Sequence, residues 1–215
     1  MLENIRFYTI YLALLSGIIG LFFFYKLPNN KAKSILVMIW LSVIIEFLGI
    51  NFSKWTGIIN YFIFNFYILI SFIYYIYLLK LLVHKIIYKA IANLFLVIYI
   101  IFYAINFILI QNNIDETFTN SFAIGVLFVL ILSCLYLIEM FNSEKILNFK
   151  KSIYFWFILG VLLFHLPYLP FLLALDWFLI ERVESIYSFV VFILNFLMHS
   201  CFIIGFIWTE KRYNY

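Results

Sequence analysis

The chain has 215 residues, of which 67% are hydrophobic, 23% are aromatic and only 11% are charged, with a net charge of +4. A soluble domain carries about 25% charged residues, so too few polar side chains remain here to cover a surface that faces water. This composition excludes a soluble enzyme, a nucleic-acid-binding domain and a disordered tail. It predicts an integral membrane protein.

Seven apolar runs follow one another along the chain. An apolar run of about 20 residues is long enough to cross the hydrocarbon core as a helix. The runs cover residues 7–25, 34–52, 58–79, 91–111, 120–141, 153–175 and 185–208. We therefore predict an all-α fold in which residues 1–215 form a single domain, a bundle of seven transmembrane helices. The first run is too long for a signal peptide and has no cleavage site of small residues, so we expect it to be retained.

The basic residues predict the orientation of this bundle. Eleven of the fourteen fall in turns on one side of the predicted membrane, which places that side in the cytoplasm. They are Lys26, Lys31, Lys33, Lys80, Lys85, Lys89, Lys145, Lys150, Lys151, Lys211 and Arg212. The N-terminus is then outside and the C-terminus inside, as an odd number of spans requires. Because the residue usage is typical of AT-rich bacterial genes, we expect a bacterial cytoplasmic (inner) membrane.

Polar residues within the spans are the candidate binding residues, because ionisable groups at membrane depth are costly and commonly functional. Counting along the helices at about 1.5 Å per residue places five of them, on five helices, in the outer half of the membrane. They are Glu46, Asn65, Asn106, His165 and Asn195. His199 follows Asn195 by four residues and shares its helix face.

This polar layer supports two hypotheses of similar weight. The first is a hydrogen-bonded network that only fixes helix packing. The second is a ligand-binding pocket open to the outside, with Glu46 and His165 as its titratable pair. In either case we expect Glu46 to point into the bundle, near at least two other members of the layer.

The sixth predicted helix contains two prolines, Pro167 and Pro170, shortly after His165. Proline removes a backbone donor and bends a helix, and broken helices at membrane depth often serve as hinges or binding sites. We favour a hinge over a bend that packing merely accommodates.

Several familiar chemistries do not fit the sequence. The seventh span has no lysine before Lys211, which excludes a retinal Schiff base. His165 and His199 are the only deep histidines, too few for a zinc hydrolase and a weak signal for bis-histidine haem. No nucleophile elbow, phosphate loop or carboxylate pair is present. We therefore expect no enzymatic activity, no metal and no cofactor.

Several short motifs carry a family likeness. They are Glu46-Phe47-Leu48-Gly49, Asn60, Asn65-Phe66-Tyr67 and Gly205-Phe206-Ile207-Trp208. With these motifs the chain resembles small, stand-alone seven-helix bacterial membrane proteins of unknown function, which are similar to the seven-helix sensory regions that precede histidine-kinase domains. The resemblance implies a receptor-type module that works with a separate partner, since the kinase part is lacking.

Receptor-like sensing is therefore the leading expectation. Its partners would be membrane lipids, a small-molecule ligand and a separate cytoplasmic or membrane signalling protein, with no nucleic acid. A small-solute transporter or channel using the same polar layer is the alternative, disfavoured because no internal repeat is visible. A membrane-acting defence effector is the third possibility.

Overall fold

The computed structural model describes residues 5, 8–58, 60–111, 116–174 and 183–213, and within these ranges all regular structure is helical. The helices are α1 (Thr9–Phe22), α2 (Asn30–Thr56), α3 (Tyr61–Leu82), α4 (Ile86–Ile105), α5 (Thr119–Phe141), α6 (Ile153–Ala174) and α7 (Val183–Trp208). Short 3-10 turns cover Phe24–Lys26, Glu144–Lys151 and Lys211–Tyr213, and a π-helical turn, Asn106–Ile110, extends α4. The all-α prediction is confirmed.

Six helices of the described part, α2 to α7, are long and apolar enough to cross a membrane. Six such helices indicate an integral membrane protein. In the first predicted span, 7–25, the structure has the 14-residue helix α1 followed by a 3-10 turn. At about 1.5 Å per residue, α1 is roughly 20 Å long, shorter than a hydrocarbon core of about 30 Å. The described residues thus contain six helices that could span a membrane, and the count of seven spans stays a prediction.

The polypeptide forms two compact units. The first consists of Met1–Val43 and Leu147–Tyr215, and its described part contains α1, the first half of α2, α6 and α7. Helices α6 and α7 pack closely at Gly160, where an added methyl group would lie 2.8 Å from Cε1 of Phe202. Gly20 brings α1 equally close to α7, since a methyl group there would lie 2.9 Å from the ring of Phe206.

The second unit, Ile44–Ile146, contains the rest of α2 together with α3, α4 and α5. Its core is aromatic: the buried ring of Phe72 lies 5.4–6.0 Å from the rings of Tyr75, Tyr99 and Phe122. Gly125 lets α5 approach this ring, because a methyl group there would lie 2.5 Å from Cγ of Phe72. The run of aromatic and β-branched residues in α3 is helical because a helix satisfies its backbone without water.

Candidate functional site

A buried hydrogen bond between α1 and α7 is the central polar contact of the first unit. Oγ of Ser16 lies 2.8 Å from Nδ1 of His199, and neither side chain is more than 3% exposed. The Ser16 hydroxyl also donates to the Ala13 carbonyl at 2.9 Å. Because a hydroxyl has only one hydrogen, Ser16 accepts from His199, so the imidazole proton is on Nδ1. In the neutral ring, Nε2 is then an acceptor.

His165 and Asn195, from α6 and α7, bond to the carbonyls of their own helices. Nδ1 of His165 lies 2.8 Å from the carbonyl oxygen of Val161, and Nδ2 of Asn195 donates to Val191 at 2.8 Å. A carbonyl only accepts, so His165 also carries its proton on Nδ1. Both α6–α7 residues of the predicted layer are therefore buried and oriented from within their own helices.

Trp40 contributes a buried donor to the same unit. Its indole covers Gly17, the residue after Ser16, and a methyl group on Gly17 would lie 3.1 Å from Cε2 of Trp40. The indole Nε1 is buried and has no hydrogen-bond partner within the described residues. Nε2 of His199 likewise bonds to no described residue. The first unit thus offers one unused donor and one unused acceptor.

In the second unit, Asn65 fastens the segment that precedes α5 to α3. Its Nδ2 donates to the carbonyl of Glu116 at 2.8 Å, and its Oδ1 accepts from the backbone N–H of Phe118 at 3.0 Å. The hydroxyl of Tyr103 donates to the Asn65 carbonyl at 3.0 Å. Both ends of the Asn65 amide are therefore used to hold backbone.

Asn106, at the start of the π-helical turn, performs a similar task one helix further on. Its Nδ2 donates to Oγ of Ser121 at 2.9 Å and to Oε1 of Gln111 at 3.1 Å. Gln111 in turn accepts from the backbone N–H of Asn120 at 3.2 Å. Asn106 is fully buried, and its Oδ1 has no partner in the described part of the chain. This cluster joins the C-terminal end of α4 to the N-terminal end of α5.

Glu46 lies half-buried in the part of α2 that belongs to the second unit. Asn65 and Asn106, the other layer residues of that unit, bond to the groups just described and not to Glu46. The expected hydrogen bonds between Glu46 and these two amides are therefore not formed. Backbone groups already use both ends of the Asn65 amide, and Nδ2 of Asn106 donates to Ser121 and Gln111.

The prolines of α6 do not end the helix. Pro167 and Pro170 both lie inside Ile153–Ala174, which continues through them. Between the two prolines, the hydroxyl of Tyr168 lies 3.2 Å from the hydroxyl of Tyr187 in α7. The proposed hinge is thus located in a continuous helix that contacts α7 within the proline segment itself.

A charged cluster at the opposite end of the first unit was not singled out by the sequence. Nζ of Lys151 lies 2.8 Å from Oε1 of Glu210, and Nε of Arg212 lies 3.0 Å from Oε2 of the same carboxylate. The backbone N–H of Glu210 also donates to the Lys151 carbonyl at 3.1 Å. The hydrogen bond from Lys151 lowers the pKa of Glu210. The end of α7 is thus held to the turn that precedes α6.

Glu139, near the C-terminal end of α5, binds the backbone just before α4. Its two carboxylate oxygens accept hydrogen bonds from the backbone N–H groups of His84 and Lys85, at 2.7 and 2.8 Å. These groups immediately precede α4, so a carboxylate here satisfies helix-end donors and complements the helix dipole.

The comparisons with known proteins leave the site to be judged on its own geometry. No protein-family model, curated protein or solved structure matches this chain. Among the described residues, no group of three or more His, Cys, Asp or Glu side chains is arranged to bind a metal. The strongest candidate for ligand binding is therefore the polar set of the first unit, formed by Ser16, Trp40, His165, Asn195 and His199.

Proposed function

We propose that this chain is a receptor-like membrane protein that binds a small polar molecule within the first unit and signals through a separate partner. In this proposal seven helices cross a bacterial cytoplasmic membrane, with the N-terminus outside. The short helix α1 is the first span, completed by the turn that follows it. The odd number of spans and the uneven distribution of lysines support this orientation.

The course of α7 is the observation that carries the proposal. One unbroken helix, Val183–Trp208, contains the buried His199 and ends two residues before Glu210, which binds Lys151. His199 and Trp208 are nine residues apart, about 13 Å along a helix. A ligand that engages His199 is therefore positioned to move a helix whose far end carries charges suited to a partner protein.

The unused polar groups indicate the class of ligand. Nε2 of His199 accepts and Nε1 of Trp40 donates, so a molecule with both a donor and an acceptor matches the set. Small hydroxy acids, amides and amino acids have this property. A bond that the ligand supplies to the buried, unpaired indole N–H of Trp40 contributes about 1–3 kcal/mol, because that group has already lost its water.

Cysteine accessibility tests the binding half of the proposal. With Cys134 and Cys201 replaced by alanine, the water-soluble reagent MTSET is added to intact cells that carry Asn195→Cys or Phe196→Cys. Asn195 is buried, whereas the neighbouring Phe196 is 51% exposed and serves as the lipid-facing control. We expect modification of Asn195→Cys alone. Equal reaction of both positions, or of neither, would contradict a pocket open to the outside.

Hydrogen exchange tests the signalling half. The purified Asn195→Cys protein is modified with the small reagent MMTS, which occupies the site covalently, and amide exchange is measured across Thr209–Tyr213. We expect exchange there to change, and to stay constant after modification of Phe196→Cys. If reconstituted vesicles instead accumulate labelled amino or hydroxy acids, the protein is a transporter and the receptor proposal is wrong.

A cysteine pair tests the orientation. Lys150→Cys is expected to react with external MTSET only after permeabilisation, and Glu116→Cys to react without it. The reverse pattern would refute the assigned direction.

A further inference from the structure

A cavity of about 430 Å³ lies in the first unit beside the end of α7, the turn that follows α1 and the turn that precedes α6. Its lining includes three lysines, one aromatic side chain and one carboxylate. These residues are Lys26, Lys150, Lys151, Trp208 and Glu210. The volume lies within the usual range of about 300–1,000 Å³ for small-molecule sites. The cavity is separate from the buried polar set around His199.

The positive charge of this cavity is available to a ligand. Lys26 donates one hydrogen bond from Nζ to the carbonyl of Ile207 at 2.8 Å, which leaves two further N–H donors on that ammonium. Nζ of Lys150 lies 5.9 Å from the ring centroid of Phe149, and this side chain is exposed. Neither lysine has a carboxylate partner among the ion pairs of the described residues.

The carboxylate in the lining does not cancel this charge. Glu210 is bound on one oxygen by Lys151 and on the other by Arg212, at 2.8 and 3.0 Å. One negative charge is thus shared between two cations. The lining contains three lysines and one glutamate, which leaves the cavity with an excess of positive charge.

In the proposed topology the cavity lies at the helix ends, the level where a membrane presents phosphate groups. Lys150 and Lys151 precede the first residue of α6 by three and two positions, and Trp208 is the last residue of α7. Trp208 is 49% exposed and packs edge-on against Trp156, with ring centroids 5.6 Å apart. Tryptophans favour the membrane–water interface, and basic pockets between helix ends bind anionic headgroups.

We infer that this cavity is a binding site for a phosphate anion, carried either by an acidic phospholipid headgroup or by a small soluble phosphate. Lys26 and Lys150 bind the phosphate oxygens, and Trp208 lies beside the glycerol and upper acyl region when the ligand is a lipid. Glu210 holds Lys151 in place and limits the affinity.

Lipid binding to the purified full-length protein tests this site. Native mass spectrometry would count bound phosphatidylglycerol and phosphatidylcholine, which share a phosphodiester but differ in net charge. We expect preferential binding of phosphatidylglycerol, weakened by salt. Lys150→Ala is expected to lower the affinity about five-fold, which corresponds to about 1 kcal/mol per lysine near an anionic headgroup. Lys26→Ala is expected to do the same.

Two matched variants separate ligand binding from general effects of charge and folding. Lys89→Ala removes an equally exposed lysine from the second unit and is expected to leave binding unchanged. Glu210→Gln removes the negative charge from the cavity and is expected to strengthen binding, whereas a purely structural ion pair predicts no gain. An equal loss of phosphatidylglycerol affinity in Lys89→Ala and Lys150→Ala would overturn the site. The site would also be overturned if the unaltered protein bound the two lipids equally and did not bind inorganic phosphate.

The source of the phosphate is decided by competition. If inorganic phosphate displaces phosphatidylglycerol, the site accepts soluble phosphate as well. If it does not, the site requires a lipid. If a variant fails to fold, the effect of salt on phosphatidylglycerol binding by the unaltered protein still tests the site.

Discussion

The bond between Ser16 and His199 gives the sharpest prediction, because the alanine variant leaves a buried donor without an acceptor. In Ser16→Ala the Nδ1–H of His199 loses its partner at 2.8 Å. Ser16 is 0% exposed and His199 is 3% exposed, so water does not readily replace the lost hydroxyl. We expect α1 to be less firmly held to α7.

The magnitude follows from two estimates. Hydrogen bonds between transmembrane helices contribute about 0.6 kcal/mol on average and about 1.7 kcal/mol at most. An unpaired buried donor costs about 1–3 kcal/mol. We therefore expect Ser16→Ala to lower the free energy of unfolding by about 1–2 kcal/mol, measured by titration with SDS in mixed micelles.

Ser133 in α5 supplies a matched control of opposite sign. It is 1% exposed, and its hydroxyl has no hydrogen-bond partner among the described residues. Ser133→Ala removes an unsatisfied group from an apolar helix, so we expect no change or a gain of up to about 1 kcal/mol. The same loss in both serine variants would refute the assigned role of Ser16. So would a full effect of Ser16→Ala in a His199→Leu background, where no imidazole remains to lose its partner.

Three further variants test packing, the proline segment and the terminal ion pair. Gly125→Ala is expected to lower the free energy of unfolding by about 1–3 kcal/mol in the same titration, because its methyl group would lie 2.5–2.7 Å from three atoms of the Phe72 ring; unchanged stability would show that the ring moves aside. Pro167→Ala restores a backbone donor inside α6, so amide exchange around residue 167 is expected to slow while the protein still folds; unaltered exchange would argue against a hinge. The Glu210 carboxyl, followed by carbon NMR, is expected to titrate below its ordinary pKa of 4.5 and to move back in Lys151→Ala. Its ion pair is thus present at neutral pH and is lost as the pH falls through this lowered value, with little effect on stability because the pair is exposed.

The long helices were predictable from the sequence because hydropathy and length decide them directly. The predicted run 120–141 differs by one residue from the helix Thr119–Phe141, and 153–175 by one residue from Ile153–Ala174. The first span was overestimated because counting apolar residues ignores backbone geometry. Leu27 is extended, with φ −69° and ψ 122°, as a residue before Pro28 is expected to be. The α-helix itself ends at Phe22, because Phe23 leaves the α-helical region with φ −97° and ψ 13°, and a 3-10 turn follows.

The candidate polar residues were also predictable, but their partners were not. Asn65 bonds to the backbone of residues 116 and 118, and Glu139 bonds to the backbone N–H groups of His84 and Lys85. Backbone groups are present at every residue, so no sequence motif marks which of them a side chain will meet. Ser16 carried a usable signal, since it precedes Gly20 by four residues in a small-xxx-small pattern typical of close helix contacts.

In the first unit an unused donor and an unused acceptor occur together, and this supports ligand binding there, although Oδ1 of Asn106 and Oγ of Ser133 in the second unit also lack a described partner. Asn65 has backbone partners on both ends of its amide, which is what a packing network requires. His199 bonds to Ser16 through Nδ1, and its Nε2 has no partner among the described residues. The buried indole N–H of Trp40 likewise has no described partner. A buried polar group without a partner reduces stability, because it loses its hydrogen bonds to water on folding and gains no bond in their place. The donor on Trp40 and the acceptor on His199 belong to side chains that contact the adjacent α1 residues Gly17 and Ser16, and the protein gains from them only when a ligand or an ordered water completes the set.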